Sequence, residues 1–249
     1  MTGEPIVGDA AFWQNLYQQG SDRWELGRPN PSLDAHLARR PPPPGTVAVP
    51  GCGRGHDVRF LARRGYQVLG FDFVPEVIRV ARELAERERV DVTFEDRDVF
   101  GLAETYPRFF DGVWEYTCFC AIDPARRAEY VEVLAGILKP GGWLLACFFP
   151  MGARSGGPPF AVSEAEVRAL LAARFELVED YVPFASPEGR QGREWMGSAP
   201  GDPRGLTPDR ALRREPSPTA RRAVSSRSSA RPTLLGLTQR RDWAPRRRR

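Results

Sequence analysis

From residue 46 to residue 182, short apolar runs alternate with stretches whose apolar side chains recur every three or four positions. The runs read as strands and the stretches as helices. Strands are predicted over 46–49, 67–71, 92–95, 112–116, 142–149 and 175–182. Helices fall between them, and their ends carry recognisable signals. The helix over 56–64 stops at Gly65, and the helix over 75–87 starts on Pro75. Asp123 and Pro124 open a helix that runs to 138. Ser163 and Glu166 form a capping box for a helix that runs to 173. Leu138-Lys139-Pro140-Gly141-Gly142 reads as a turn before the fifth strand. Upstream, Phe12, Trp13, Leu16 and Tyr17 share one helical face, and a second short helix over 32–40 ends at four prolines, 41–44.

Strands alternating with helices require crossover connections, and these give a mostly parallel sheet covered on both faces. The expected fold is a doubly wound, Rossmann-like α/β domain whose ligand cleft lies beyond the C-terminal ends of the strands.

Charge divides the chain in two. Its net charge is +4 over 249 residues, but residues 197–249 hold 14 Arg against 4 acids, a net +10, and the first 196 residues are net −6. The basic tail alone invites nucleic-acid binding. Against that stand the acidic preceding domain and a single tail aromatic, Trp243. The tail is rich in Pro, Ser, Gly and Arg and has no sustained periodicity, so disorder is expected there. A shifted reading frame in a GC-rich gene explains its break with the preceding pattern, and a genuine basic tail is the alternative. No apolar run approaches the ~20 residues of a membrane helix. The first ten residues carry acids and no basic residue, unlike a signal peptide. Four cysteines without disulfide spacing suit a reducing cytoplasm.

The first strand runs into Val49-Pro50-Gly51-Cys52-Gly53-Arg54-Gly55-His56-Asp57. A dinucleotide turn spaced G-x-G-x-x-G needs its third glycine at position 56, where this chain has histidine. Glycines at 51, 53 and 55 instead match the turn of S-adenosylmethionine (SAM) sites, although such a turn can also merely join a strand to a helix. Two acids add to it. Asp72 ends the second strand, where a carboxylate can accept from both ribose hydroxyls. Asp98 follows the third strand, where it can accept from an adenine amino group while the Val99 N–H meets the ring. Cys118 and Cys120 lack a second ligand pair, so no metal site is expected. His36 and His56 lack a paired nucleophile.

With these features the chain resembles class I SAM-dependent methyltransferases, and more narrowly the thiopurine methyltransferase superfamily and its thiol/halide branch. The resemblance spans about residues 12–196. It rests on Phe12-Trp13 through Asp22-Arg23-Trp24-Glu25-Leu26-Gly27, on residues 49–57, on Gly70-Phe71-Asp72, and on Trp114-Glu115-Tyr116-Thr117-Cys118-Phe119-Cys120-Ala121-Ile122. It implies a seven-stranded sheet, with residues 192–196 beginning a last antiparallel strand that the tail cuts short. It also implies a helical lid over 1–45, a methyltransferase domain over 46–196, and an aromatic segment closing over SAM through Trp13, Tyr17 and Trp24. Gly51, Gly53, Gly55, Asp72, Asp98, Val99 and Tyr116 complete the implied pocket, and Tyr116 lines the place where the methyl points. Family members often have Trp where this chain has Tyr17, and Asp where it has Glu115. A sulfonium suits aromatic faces, each worth ~0.5–2 kcal/mol, although Trp13 and Tyr17 could equally be core residues sharing a helix face.

The implied reaction is methyl transfer to a small soft nucleophile: a thiol, hydrosulfide, thiocyanate, halide or thiopurine. A monomer is expected. Methylation of another small molecule, or SAM binding without turnover, stays open at this point.

Overall fold

The structure, a computed structural model, describes residues 7–200. The basic tail beyond Pro200 lies outside the described residues. Helix α1 (Ala10–Gln18) is capped by Asp9, whose side chain accepts from the Ala11 N–H. Helix α2 (Pro31–Arg39) is capped by Asn30 and begins on proline, as proline's fixed φ favours. Strands and helices then alternate: β1 (Thr46–Pro50), α3 (His56–Arg63), β2 (Gln67–Asp72), α4 (Pro75–Glu88) and β3 (Thr93–Asp96). After β3 come a 3-10 turn and the short α5 (Leu102–Thr105), then β4 (Phe110–Tyr116) and the short α6 (Cys118–Ala121). The chain continues through α7 (Arg127–Ile137), β5 (Leu138–Phe148), α8 (Glu164–Leu171), β6 (Glu179–Tyr181) and β7 (Trp195–Pro200).

The seven strands lie in the order β3-β2-β1-β4-β5-β7-β6. Neighbours from β3 to β5 are parallel, and β7 is antiparallel to both β5 and β6. Side chains alternate between two cores. Val47, Val49 and Val68 pack with Leu33, Leu61 and Ile78 on one face. Ala48, Phe71 and Val113 pack with Tyr130, Leu134 and Val167 on the other. Burial on both faces is what a parallel sheet between helices requires. Because β2 and β4 leave β1 in opposite directions, a crevice opens between the C-terminal ends of β1 and β4.

Several features differ from the sequence reading. β5 begins at Leu138, because Leu138 already pairs with Phe110 before a register shift brings Trp143 opposite Gly112. The expected Pro-Gly turn is absorbed into that irregular strand. β6 keeps only three residues: Phe175 is buried in the core, whereas Val178 and Val182 are exposed. The capping box forms by half, since Ser163 accepts from the Glu166 N–H while the Glu166 carboxylate pairs with Arg127 at 2.7 Å. β7 does not stop at Met196. It pairs with β5 along its whole length, Trp195 opposite Phe148 and Pro200 opposite Trp143. The small residues Gly197, Ser198 and Ala199 fit where an apolar continuation was sought, and Ala199 is buried.

Candidate active site

The turn after β1 is built from backbone conformation. Gly51, Gly53 and Gly55 have φ of +59°, +53° and +70°, a region that side-chain-bearing residues avoid. A Cβ on Gly51 would lie 2.9 Å from the Cys118 side chain, and one on Gly55 would lie 2.4 Å from the Phe94 ring. Gly51 therefore lets the turn approach the end of β4, while Gly55 seats α3 against the sheet. Asp72 lies beneath the turn. It accepts from the Gly53 N–H at 3.0 Å and the Val74 N–H at 3.1 Å. Burial raises its carboxyl to about 6 against the pull of those N–H donors.

The N-terminal aromatics stand over this turn. Trp24 donates its indole N–H to the Tyr17 hydroxyl at 3.0 Å and packs edge-on against both Trp13 and Tyr17. The Tyr17 hydroxyl reaches the space beside Gly53, and burial raises its pKa. Trp13 is buried against Val74 and Val77 near the start of α4, and its indole N–H donates to the Val7 carbonyl. The core-packing reading of Trp13 is thus realised alongside its place in the aromatic cluster.

A cleft opens between residues 24–30, the glycine turn and the end of β4. Its walls include Trp24, Gly51, Gly53, Trp114, Tyr116 and Thr117. Thr117 holds φ +66° without being glycine, the kind of local strain that gathers at functional sites. Asp98 and Val99 lie outside that wall, past the end of β3. Asp98 is exposed and caps the 3-10 turn by accepting from the Phe100 N–H.

Several polar residues at the cleft were not singled out as site residues from sequence. Glu25 takes hydrogen bonds from Arg54 and His56, each at 3.0 Å. Burial works against its ionisation, but hydrogen bonds led by His56 prevail and bring its carboxyl down to about 2. Arg54 also pairs with Asp22 and lies over the Tyr17 ring, so the turn and the aromatic segment are clamped together. Asp57 accepts from Trp114 Nε1 and the Asn30 N–H, and burial raises its pKa. At the end of β4, Glu115 is buried and accepts from the Tyr130 hydroxyl and the Phe119 N–H. Burial raises it to about 7.

Beside the cleft, Arg190 donates to the Tyr116 hydroxyl at 2.5 Å and to the Trp24 carbonyl at 3.0 Å. Tyr116 donates to Glu194 at 2.6 Å, and Ser32 donates to the other Glu194 oxygen at 3.2 Å. Arg190 and Glu194 are buried. Among the described residues no carboxylate lies within 4.0 Å of the Arg190 guanidinium, which instead faces the Phe149 ring. The Gly192-to-Met196 pattern pointed only to a strand, and nothing in its spacing foretold a partner at Tyr116.

All four cysteines are free. Among the described residues no group of three or more His, Cys, Asp or Glu could hold a metal. Also among them, no helix is long and apolar enough to cross a membrane.

A glycine turn at the switch point of a doubly wound sheet, with a strand-end acid below it and aromatics above, defines a SAM-dependent methyltransferase. The chain belongs to the thiopurine S-methyltransferase (TPMT) family, whose pattern residues 8–193 match. It is 32% identical to a probable thiol methyltransferase 2 of Arabidopsis thaliana, covering 74% of this chain and 82% of that protein. It is 31% identical to a thiocyanate methyltransferase 1 of Brassica oleracea, covering 78% and 86%. Among solved structures it resembles the 1,6-didemethyltoxoflavin-N1-methyltransferase of Burkholderia thailandensis with bound 1,6-didemethyltoxoflavin and S-adenosylhomocysteine. There the TM-score is 0.59 and the identity 25%, over 78% of this chain and 87% of that one. The residues present fit SAM: the turn has no side chains at Gly51 and Gly53, Asp72 ends β2 beside it with acceptor capacity left, and the Trp24 ring lines the cleft where a sulfonium would meet it.

Proposed function

We propose that this methyltransferase acts on a small soft nucleophile of the thiol, hydrosulfide, thiocyanate, halide or thiopurine class. The observation that carries this reading is the buried Arg190 guanidinium, which among the described residues has no carboxylate within 4.0 Å and reaches Glu194 only through the Tyr116 hydroxyl. A buried cation that meets a carboxylate only through a neutral hydroxyl is incompletely compensated, and an acceptor anion entering beside Tyr116 would meet it directly. The names of the two plant relatives support the same class.

Bound SAM supplies the activated methyl group and the leaving group. This chain's residues supply position and dryness. Gly51 and Gly53 let the backbone approach the cofactor. Asp72 takes the ribose hydroxyls, and Asp98 with the Val99 N–H takes the adenine. Gly55 supports the turn from below. Trp13, Tyr17 and Trp24 cover the cofactor, held down by Arg54 and Glu25. Tyr116 borders the reacting methyl. In-line holding of two reactants contributes up to ~7–11 kcal/mol in well-oriented cases. Four free cysteines suit a cytoplasmic, reducing setting.

The test is a SAM-consumption assay with iodide, thiocyanate, hydrosulfide, a thiopurine and a carboxylic acid. Turnover of the soft acceptors above the carboxylic acid is expected. SAM binding by calorimetry with no soft acceptor methylated would sink the reading.

A further inference from the structure

Soft acceptors differ in one respect that the site addresses. Thiocyanate and iodide arrive as anions without a proton to lose. A simple thiol, with a pKa near ~8.5 or above, arrives mostly protonated at neutral pH, so its proton must go somewhere before or during transfer. Among the described residues no Ser-His or Cys-His hydrogen bond lies at the cleft. Of the acids and the histidine on the cleft wall, Glu25 and His56 bond each other and Asp57 is taken by Trp114 and the Asn30 N–H, which leaves Tyr116 on the wall with Glu194 behind it.

We propose that Tyr116 and Glu194 form a proton relay that accepts the thiol proton, so that neutral thiols as well as anions are acceptors. The geometry is a directed chain. The phenol hydrogen already points at Glu194 Oε1 across 2.6 Å. Arg190 Nη1 occupies one side of the phenol oxygen at 2.5 Å, leaving a lone pair free for a thiol S–H. Ser32 pins Glu194 Oε2 from α2 at 3.2 Å, which fixes the carboxylate's orientation. Glu194 is buried, so bulk water does not compete for its role. The other charged or titratable groups facing the pair are Arg190, Cys147 on β5, and Asp57, which faces Cys147. Arg190 offsets negative charge developing on the phenol oxygen.

The thiol S–H bond breaks and its proton passes to the Tyr116 oxygen, while the Tyr116 proton passes to Glu194. The freed sulfur electron pair forms the new S–CH3 bond. The methyl–sulfonium bond of SAM breaks, and its electron pair stays on the departing thioether. Glu194 returns its proton through Tyr116 to solvent as the products leave. Tyr116 is then a catalytic residue and Glu194 a buried terminal base, held by Ser32.

This inference rests on the soft-acceptor reading, and one experiment separates the two. kcat/KM is measured for 2-mercaptoethanol and for thiocyanate from pH 6.5 to 8.5, in wild type, Glu194→Gln and Tyr116→Phe, with thermal melts as the folding control. In wild type the thiol-to-thiocyanate ratio should stay flat across this range. In Glu194→Gln it should fall at least tenfold at pH 7 and climb about tenfold per pH unit, because only preformed thiolate then reacts. Tyr116→Phe should shift the ratio the same way. A wild-type ratio that already climbs tenfold per unit overturns the relay and leaves the soft-acceptor reading standing. So does an equal loss for both acceptors in the variants. A wild type that methylates neither acceptor overturns both ideas. The wild-type profile decides even where a variant does not fold.

Discussion

The turn after β1 and the chain around Arg190 both reach Tyr116's end of the cleft, by opposite means. The turn is local: three glycines within five residues adopt left-handed φ, and their order in the sequence already states the shape. The other side is assembled from distance. Arg190 reaches back 74 residues to Tyr116 and 166 to Trp24, and Glu194 joins Ser32 across 162. A backbone device is encoded where it sits. A side-chain network exists only once β7 has docked beside β5.

Shortening the chain tests that dependence most severely. Chains ended at Pro200 and at Met196 should differ by about 3 kcal/mol in unfolding free energy, or roughly 10 °C in Tm. The shorter one loses the pairs that Gly197, Ser198, Ala199 and Pro200 make with β5, and with them the buried Ala199. Equal Tm values in thermal melts would show that β7 is complete at Met196, and would weaken the contrast drawn between the two regions.

On the turn side, Gly51→Ala should weaken SAM binding about 100-fold by calorimetry. Left-handed φ costs an alanine about 1–2 kcal/mol, and its Cβ would sit 2.9 Å from Cys118. An affinity within threefold of wild type would mean that the turn's shape is not what receives the cofactor. On the network side, Arg190→Met should raise the KM for thiocyanate about 10- to 100-fold, since hydrogen bonds to a charged group contribute about 1.5–3 kcal/mol. A KM within twofold would remove the observation on which the acceptor class rests.

How much was legible follows the same division. Alternating periods gave the strand–helix order and the doubly wound sheet. Asp72 and the three glycines were readable because each is defined by its place beside a strand end. β6 was over-read because Val178 and Val182 look like strand interior yet stay exposed. β7 was under-read because Gly197 to Pro200 carries little apolar character, although it pairs fully. Glu25 lay inside a quoted motif without a role. Its meaning depends on Arg54 and His56, 29 and 31 residues away. Arg190 and Glu194 carried no signal, since an arginine and a glutamate near a chain's polar end are ordinarily solvated.

The smallest expected effect probes the seam between the two regions. Ser32 belongs to the N-terminal segment, and its hydroxyl is the contact by which α2 holds Glu194. Ser32→Ala leaves the helix cap intact, because Asn30 bonds the Ser32 backbone N–H and not its side chain. What is lost is one buried hydrogen bond to a carboxylate, about 1 kcal/mol, partly offset by alanine's better helix propensity. A double-mutant cycle with Glu194→Gln, read by urea unfolding, isolates that contact. Coupling of about 0.5–1 kcal/mol would mean that the N-terminal segment and the β7 network are joined energetically as well as spatially. Coupling under about 0.3 kcal/mol would mean that the two regions fold side by side, and that Glu194 takes its orientation from Tyr116 alone.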